Sequence, residues 1–174
     1  TPEKGINAIS YMILFLNSLN IKDGDKSKFL EHYSSLIGIE YDGMSLNCNF
    51  HDVLSGNLTL NIGTIRLKDN HVKLECNLRY PISVNYDNIK HNLNLKLKNT
   101  SIEYFEYEHL EPIFFSKSDS MVKKLMNVYK EVTQDNEAKP IVIGGATYAR
   151  ALPNTLAFGP VFPKQKELAH EPNE

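Results

Sequence analysis

Tryptophan is absent, cysteine occurs only twice, and no block of like charge runs along the chain. Cys48 and Cys76 are too few for a disulfide framework, and neither stands in the Cys-x-x-Cys spacing of a metal or redox site, so both read as reduced residues. The 19 basic residues are scattered among 21 acidic ones, giving a formal charge of −2 and a pI near 6.3. That balance argues against nucleic acid or an anionic membrane as a partner. The longest apolar run, Tyr11 to Leu16, is about a third of the roughly 20 residues a spanning helix needs, and no charged leader with a cleavage site precedes it. The expectation is a soluble, cytoplasmic protein. Also missing are a Gly-x-Ser-x-Gly elbow, a Walker loop, a His-Glu-x-x-His helix and a paired acidic motif with an activating neighbour.

What is present is enough for a core: 174 residues, 41% of them hydrophobic and 10% aromatic, which implies one domain or at most two. Thr1-Pro2-Glu3 offers a capping hydroxyl, a proline at the first helical position and an early acid. Ile6, Ile9, Ile13, Leu16 and Leu19 follow at steps of three or four, so a helix is expected almost from the first residue. Chains rarely open on a formed cap, so residue 1 reads as a cut in a longer polypeptide. After an Asp23-Gly24 turn, Phe29, Leu30, Tyr33, Leu36 and Ile37 predict a helix over Lys26 to Ile37, stopped by Gly38.

From Gly56 the period changes to two. Leu58, Leu60 and Ile62, then Val72, Leu74, Cys76 and Leu78 beyond an Asp69-Asn70 turn, predict an antiparallel hairpin with one apolar face, packed on the first helix. Ile89, Leu93 and Leu97 predict another helix, and Ile102 to Tyr107 an edge strand before Pro112. Ser118 to Val132 reads as a helix, and the all-apolar Ile141-Val142-Ile143 as a strand buried on both faces. The fold class is therefore α+β, a sandwich of helices on one face of an antiparallel sheet over residues 1–110, followed by a piece of a larger α/β domain over residues 111–174.

Few residues volunteer for chemistry. His32, His51, His71, His91 and His109 each stand alone, without a helical i, i+4 partner or a carboxylate ligand pattern, and read as surface or packing histidines. His170 differs in lying in a polar loop, Leu168-Ala169-His170-Glu171-Pro172-Asn173-Glu174. Gly144-Gly145-Ala146-Thr147 follows the apolar run 141–143, where backbone N–H groups could close around an anion, although a plain tight turn also accounts for it. Arg79, at a strand end in Asn77-Leu78-Arg79-Tyr80-Pro81, suits bidentate capture of a carboxylate, and Arg150 is a second candidate.

Five stretches together resemble the dipeptidase V (Xaa-His dipeptidase, carnosinase-like) family of dinuclear metallopeptidases. They are TPEKGINA (1–8), NLRYP (77–81), SKSDSMVKKLMNVY (116–129), VIGGATYAR (142–150) and AHEPNE (169–174), in matching order and spacing. The resemblance implies an α/β catalytic domain holding two divalent ions, zinc or manganese, and a lid that closes over a dipeptide. Residues 1–110 would be a ferredoxin-like half of that lid and residues 111–174 the end of the catalytic domain. His170 matches the last metal ligand, Arg79 the lid arginine that grips the substrate's C-terminal carboxylate, and Gly144, Gly145, Ala146 and Thr147 the pocket beside that carboxylate. Many relatives carry a third glycine where this chain has Ala146, which would narrow the pocket.

The family's remaining ligands and its glutamate base would lie upstream, so the resemblance implies an inactive fragment that binds metal weakly. An N-acyl amino acid deacylase of the same clan is the competing enzyme. A non-catalytic binding module, with a homodimer through the lid-like part, is the competing non-enzyme.

Overall fold

The computed structural model describes residues 2–22, 24–159 and 162. Pro2–Lys4 form a 3-10 turn, and the first α-helix, α1, runs Ala8–Ser18. Its cap is Asn7, whose side-chain oxygen accepts from the N–H groups of Ile9 and Ser10 at 3.0 and 3.2 Å. The helix therefore starts later than the Thr1-Pro2 pattern predicts, because an amide that satisfies two orphan donors outcompetes the earlier proline as a nucleation point. Ile6 is consequently left outside the helix and exposed. Thr1 and Asp23, both part of predicted boundaries, lie outside the described residues.

Helix α2 spans Gly24–Leu36. It ends as the sequence predicts: Gly38 takes a φ of +52°, and its N–H and that of Ile37 both donate to the Tyr33 carbonyl at 2.9 Å. Three short segments follow, a 3-10 turn at Met44–Leu46 and strands β1 (His51–Asp52) and β2 (Gly56–Asn57), and then the main hairpin, β3 (Thr59–Lys68) with β4 (His71–Arg79). The hairpin is antiparallel, joined by Asp69 and Asn70, both left-handed at φ +50° and +61°, the backbone that a tight two-residue turn demands.

One irregularity governs its packing. Ile62 pairs with Cys76, but Thr64 pairs with Glu75, so Gly63 is an extra residue bulged out of β3. The bulge switches the parity of the strand: Leu58, Leu60 and Ile62 lead into Ile65 and Leu67, which pair with Leu74 and Val72. The apolar face thus stays continuous where a regular strand would have flipped it.

Near the open end of the hairpin that face is covered by helices, as predicted, while Ile65, Leu67 and Val72 toward the turn stay exposed. Ile62 packs with Ile13 of α1 and Leu30 and Tyr33 of α2, with Leu74 alongside. Leu58 and Leu60 pack with Leu46, Cys48 and Ile89, the last from helix α3 (Tyr86–Leu97). The result is a mixed α+β architecture with helices on one side of a small antiparallel sheet.

Two predicted strands are not strands. Residues 102–107 run without ladder pairing, with Phe105 and Tyr107 fully or almost fully exposed, and Ile141, Val142 and Ile143 are 77%, 63% and 54% exposed and unpaired. Strand propensity supplies no partner strand, and without a neighbouring ladder the backbone hydrogen bonds of an isolated strand go to water.

The chain divides into two compact units, Thr1–Pro112 and Ile113–Glu174. The second contains helix α4 (Ser120–Thr133), capped by Asp119, with Val122 buried and Tyr129 edge-on to Phe158 at 6.5 Å.

Candidate functional site

Arg79 is the last residue of β4, in register with Thr59 at the open end of the hairpin. Its side chain is exposed, and its Nε–H donates to Asn77 Oδ1 at 3.1 Å, two residues back on the same face. This bond holds the stem along the strand while the guanidinium edge remains open to solvent, the presentation that a bidentate carboxylate contact requires.

Beyond Arg79 the strand ends in a cluster that sequence reading passed over. The ring of Tyr80 stacks with Tyr86 at 5.6 Å and with His109 at 5.9 Å, and Tyr86 and His109 lie face to face at 3.8 Å and 9°. The Tyr80 hydroxyl lies 2.7 Å from His109 Nε2 and donates to Glu111 Oε2 at 3.3 Å. A phenol has one proton, so whether His109 Nε2 donates or accepts in this pair follows its tautomer. Tyr86 in turn donates to Glu106 Oε2 at 2.8 Å, and Lys90 sits 5.0 Å over the Tyr86 ring while pairing with Asp87 at 2.7 Å. Burial, followed by the Glu106 carboxylate, pushes the Tyr86 phenol well above its ordinary range. An open groove of about 390 Å³ runs along these residues. His109 read as a lone histidine because its partners Tyr80 and Tyr86 stand 29 and 23 positions away, and no local pattern announces such a contact.

Close by, Asp52 fastens the turn after β1 to the loop following β4. It accepts from Leu54 and Ser55 N–H, from the Ser55 hydroxyl at 2.8 Å and from the Ser83 N–H and hydroxyl at 3.2 and 3.0 Å. These donors, Ser55 first, hold its carboxyl far below the usual range. The Ser55 hydroxyl then accepts from Ile82 N–H at 2.9 Å, so the polypeptide on the far side of Tyr80 is anchored too.

In the second unit, Gly144, Gly145 and Ala146 form an exposed bend, and Thr147, half-buried, precedes a 3-10 turn at Tyr148–Ala151 that carries Arg150. A Cβ on Gly145 would meet nothing within 4 Å. The bend is thus open, with room beside it. Arg79 and this loop belong to different units. His170, with the rest of AHEPNE, lies outside the described residues. Among the described residues, no group of three or more His, Cys, Asp and Glu side chains could hold a metal ion. No described helix is long and apolar enough to cross a membrane.

No family model matches the chain. Among curated proteins it is 33% identical over 174 residues to "Putative dipeptidase YtjP" of Bacillus subtilis, covering 99% of this chain and 36% of that protein. It is 31% identical to "Putative dipeptidase" of Staphylococcus epidermidis, again over 99% of this chain and 37% of that protein. The chain therefore spans little more than a third of the length of the relatives it matches. The likeness nevertheless covers 99% of the chain, and the chain is a relative of these dipeptidase-named proteins.

Proposed function

We propose that the longer polypeptide to which this segment corresponds is a metal-dependent dipeptidase of the Xaa-His type, and that this chain supplies its grip on the substrate's free C-terminal carboxylate. The observation that carries the reading is Arg79, presented at a strand end with its stem tied to Asn77 and its guanidinium edge open, in a chain matching dipeptidase-named proteins over its whole length. A planar, always-charged fork pairs with a carboxylate through two parallel hydrogen bonds, which Lys cannot reproduce. A grip fixed at the free C-terminus also acts as a ruler, since it sets which peptide bond reaches the reacting centre.

The described residues do not fit a two-ion centre by themselves. By the family resemblance a zinc or manganese pair would supply an activated water, with His170 as this chain's one ligand.

The test is kinetic. In the full-length protein, Arg79→Ala and Arg79→Lys should each lower kcat/KM on dipeptides by the equivalent of about 1.5 to 3 kcal/mol while leaving the unfolding midpoint nearly unchanged. Unchanged kcat/KM in both variants would make Arg79 an ordinary surface arginine. Preferential turnover of N-acyl amino acids over dipeptides would turn the reading into a deacylase.

A second reading, a docking or dimerisation module, is favoured by the exposed Tyr11, Met12 and Phe15 of α1 and Leu19 just past its end. Light scattering across a concentration series separates it, since self-association would raise the mass with concentration.

A further inference from the structure

A strand that ends at a binding residue has a mechanical problem, because past the last rung no ladder holds the chain. Arg79 pairs with Thr59 in that last rung, so its position is fixed on one side only by the sheet. On the other side the loop is held from Ile82 onward by Ser55 and Asp52, and the restraint nearest to Arg79 is the side chain of Tyr80, whose ring and hydroxyl are both engaged. His109 provides the closest of these contacts, at 2.7 Å to the hydroxyl, and its ring also lies flat on Tyr86, which stacks with Tyr80. Pro81, next in sequence, is fully buried. The clamp is completed by a segment, residues 102–112, that has no regular structure of its own, so its attachment here rests on side chains such as His109, Glu111 and Glu106.

From these contacts we propose that His109 is a positioning residue for Arg79: it holds Tyr80, and through Tyr80 the backbone from which the Arg79 side chain leaves. The consequence for turnover rests on the reading of Arg79 as the carboxylate grip; the mechanical link does not. Removing the imidazole would leave the Tyr80 hydroxyl with a weaker partner and the Tyr86 face uncovered. Residues 79 and 80 would then sample more than one backbone arrangement, and the guanidinium with them.

Two measurements decide it. In the nitrogen-15 labelled chain, the Arg79 Nε–Hε signal should be sharp because Asn77 accepts from it. His109→Leu should broaden it and speed amide exchange at residues 78–80, while His109→Gln, which keeps a polar tip, should largely restore both. Tyr80→Phe, which keeps the ring and loses the hydroxyl, should fall between, and it decides the matter if His109→Leu does not fold. An Arg79 signal and amide exchange unchanged in the folded variants would overturn the proposal. In the full-length protein, His109→Leu should raise KM for dipeptides about tenfold with little change in kcat, and should add nothing in an Arg79→Ala background. An equal KM rise in both backgrounds would show that His109 acts elsewhere and would overturn the link. If Arg79→Ala alone leaves KM untouched while the Nε–Hε signal still responds to His109, the grip reading fails and the positioning stands.

Discussion

Ser10 and Tyr33, both buried, share a hydrogen bond of 2.8 Å between their hydroxyls, and this pair ties α1 to α2 inside a core that is otherwise apolar. Burial raises the Tyr33 phenol above its ordinary value of 10, so at neutral pH it is a neutral donor or acceptor. Tyr33→Phe strands the serine hydroxyl and should cost about 1 to 3 kcal/mol, whereas adding Ser10→Ala to it should recover part of the loss. Urea midpoints of the two single variants and the double variant measure this, and simple additivity would contradict the coupling. Asp52 gives a second test, in pH. Its folded pKa lies below its ordinary value of 3.8, so its stabilisation is fully present above that value and is lost as pH falls through the folded pKa. Asp52→Asn should therefore lower the urea midpoint above about pH 5, and the gap to the parent should close in stronger acid. A gap that stays constant down to low pH would mean that the carboxylate's charge is irrelevant to its role. Of these residues the sequence announced only the apolar neighbours. A serine at helical spacing and an aspartate before Val-Leu-Ser carry no local mark of a partner 23 or 31 positions away.

At the scale of elements, legibility followed the strength of local pattern. Helices α2, α3 and α4 were readable because each repeats its apolar residues at three and four, and the hairpin because its two strands alternate around Asp69-Asn70. The Gly63 bulge was readable in principle. The apolar parity of β3 changes from even to odd positions at a glycine, while β4 keeps Val72, Leu74, Cys76 and Leu78 in step, and only an extra residue on one strand reconciles the two. Segments 102–107 and 141–143 misled because apolar content was taken for pairing, which depends on residues elsewhere. The turn permits a direct test. Asn70 holds a φ of +61°, where a side chain is tolerated and glycine is preferred. Asn70→Gly should make an Asp-Gly turn and raise stability by up to about 1 kcal/mol, read as a higher thermal midpoint. A lower midpoint would mean that the Asn70 side chain contributes more than its backbone strain costs.

For the whole molecule, the candidate site was only partly legible, and the reason is distribution. Arg79 could be picked out as a candidate because a strand end and a guanidinium are both local, and its role as a carboxylate grip is the proposal that the kinetic test addresses. The chemistry it would serve is not local, for the relatives are nearly three times as long as the stretch this chain matches. Holding two divalent ions about 3.5 to 4 Å apart takes several oxygen and nitrogen ligands and a bridging group, with outer hydrogen bonds to fix each ring. The described residues offer no cluster of three ligating side chains, and the resemblance adds His170 alone. One imidazole lacks both the charge to offset two cations and the geometry to select among them. The chain by itself is therefore expected to show no dipeptide turnover and only weak, unsaturating heats when titrated with zinc or manganese in a calorimeter. Binding of two ions per chain at micromolar concentration, or turnover that a chelator abolishes, would show that the segment completes a site from its own residues. The first to re-examine would be His51, which now bonds Asn57 Oδ1 at 2.7 Å, and His71, which now bonds the Asp69 carbonyl at 2.8 Å, since either ring would have to give up that partner to ligate through the same nitrogen.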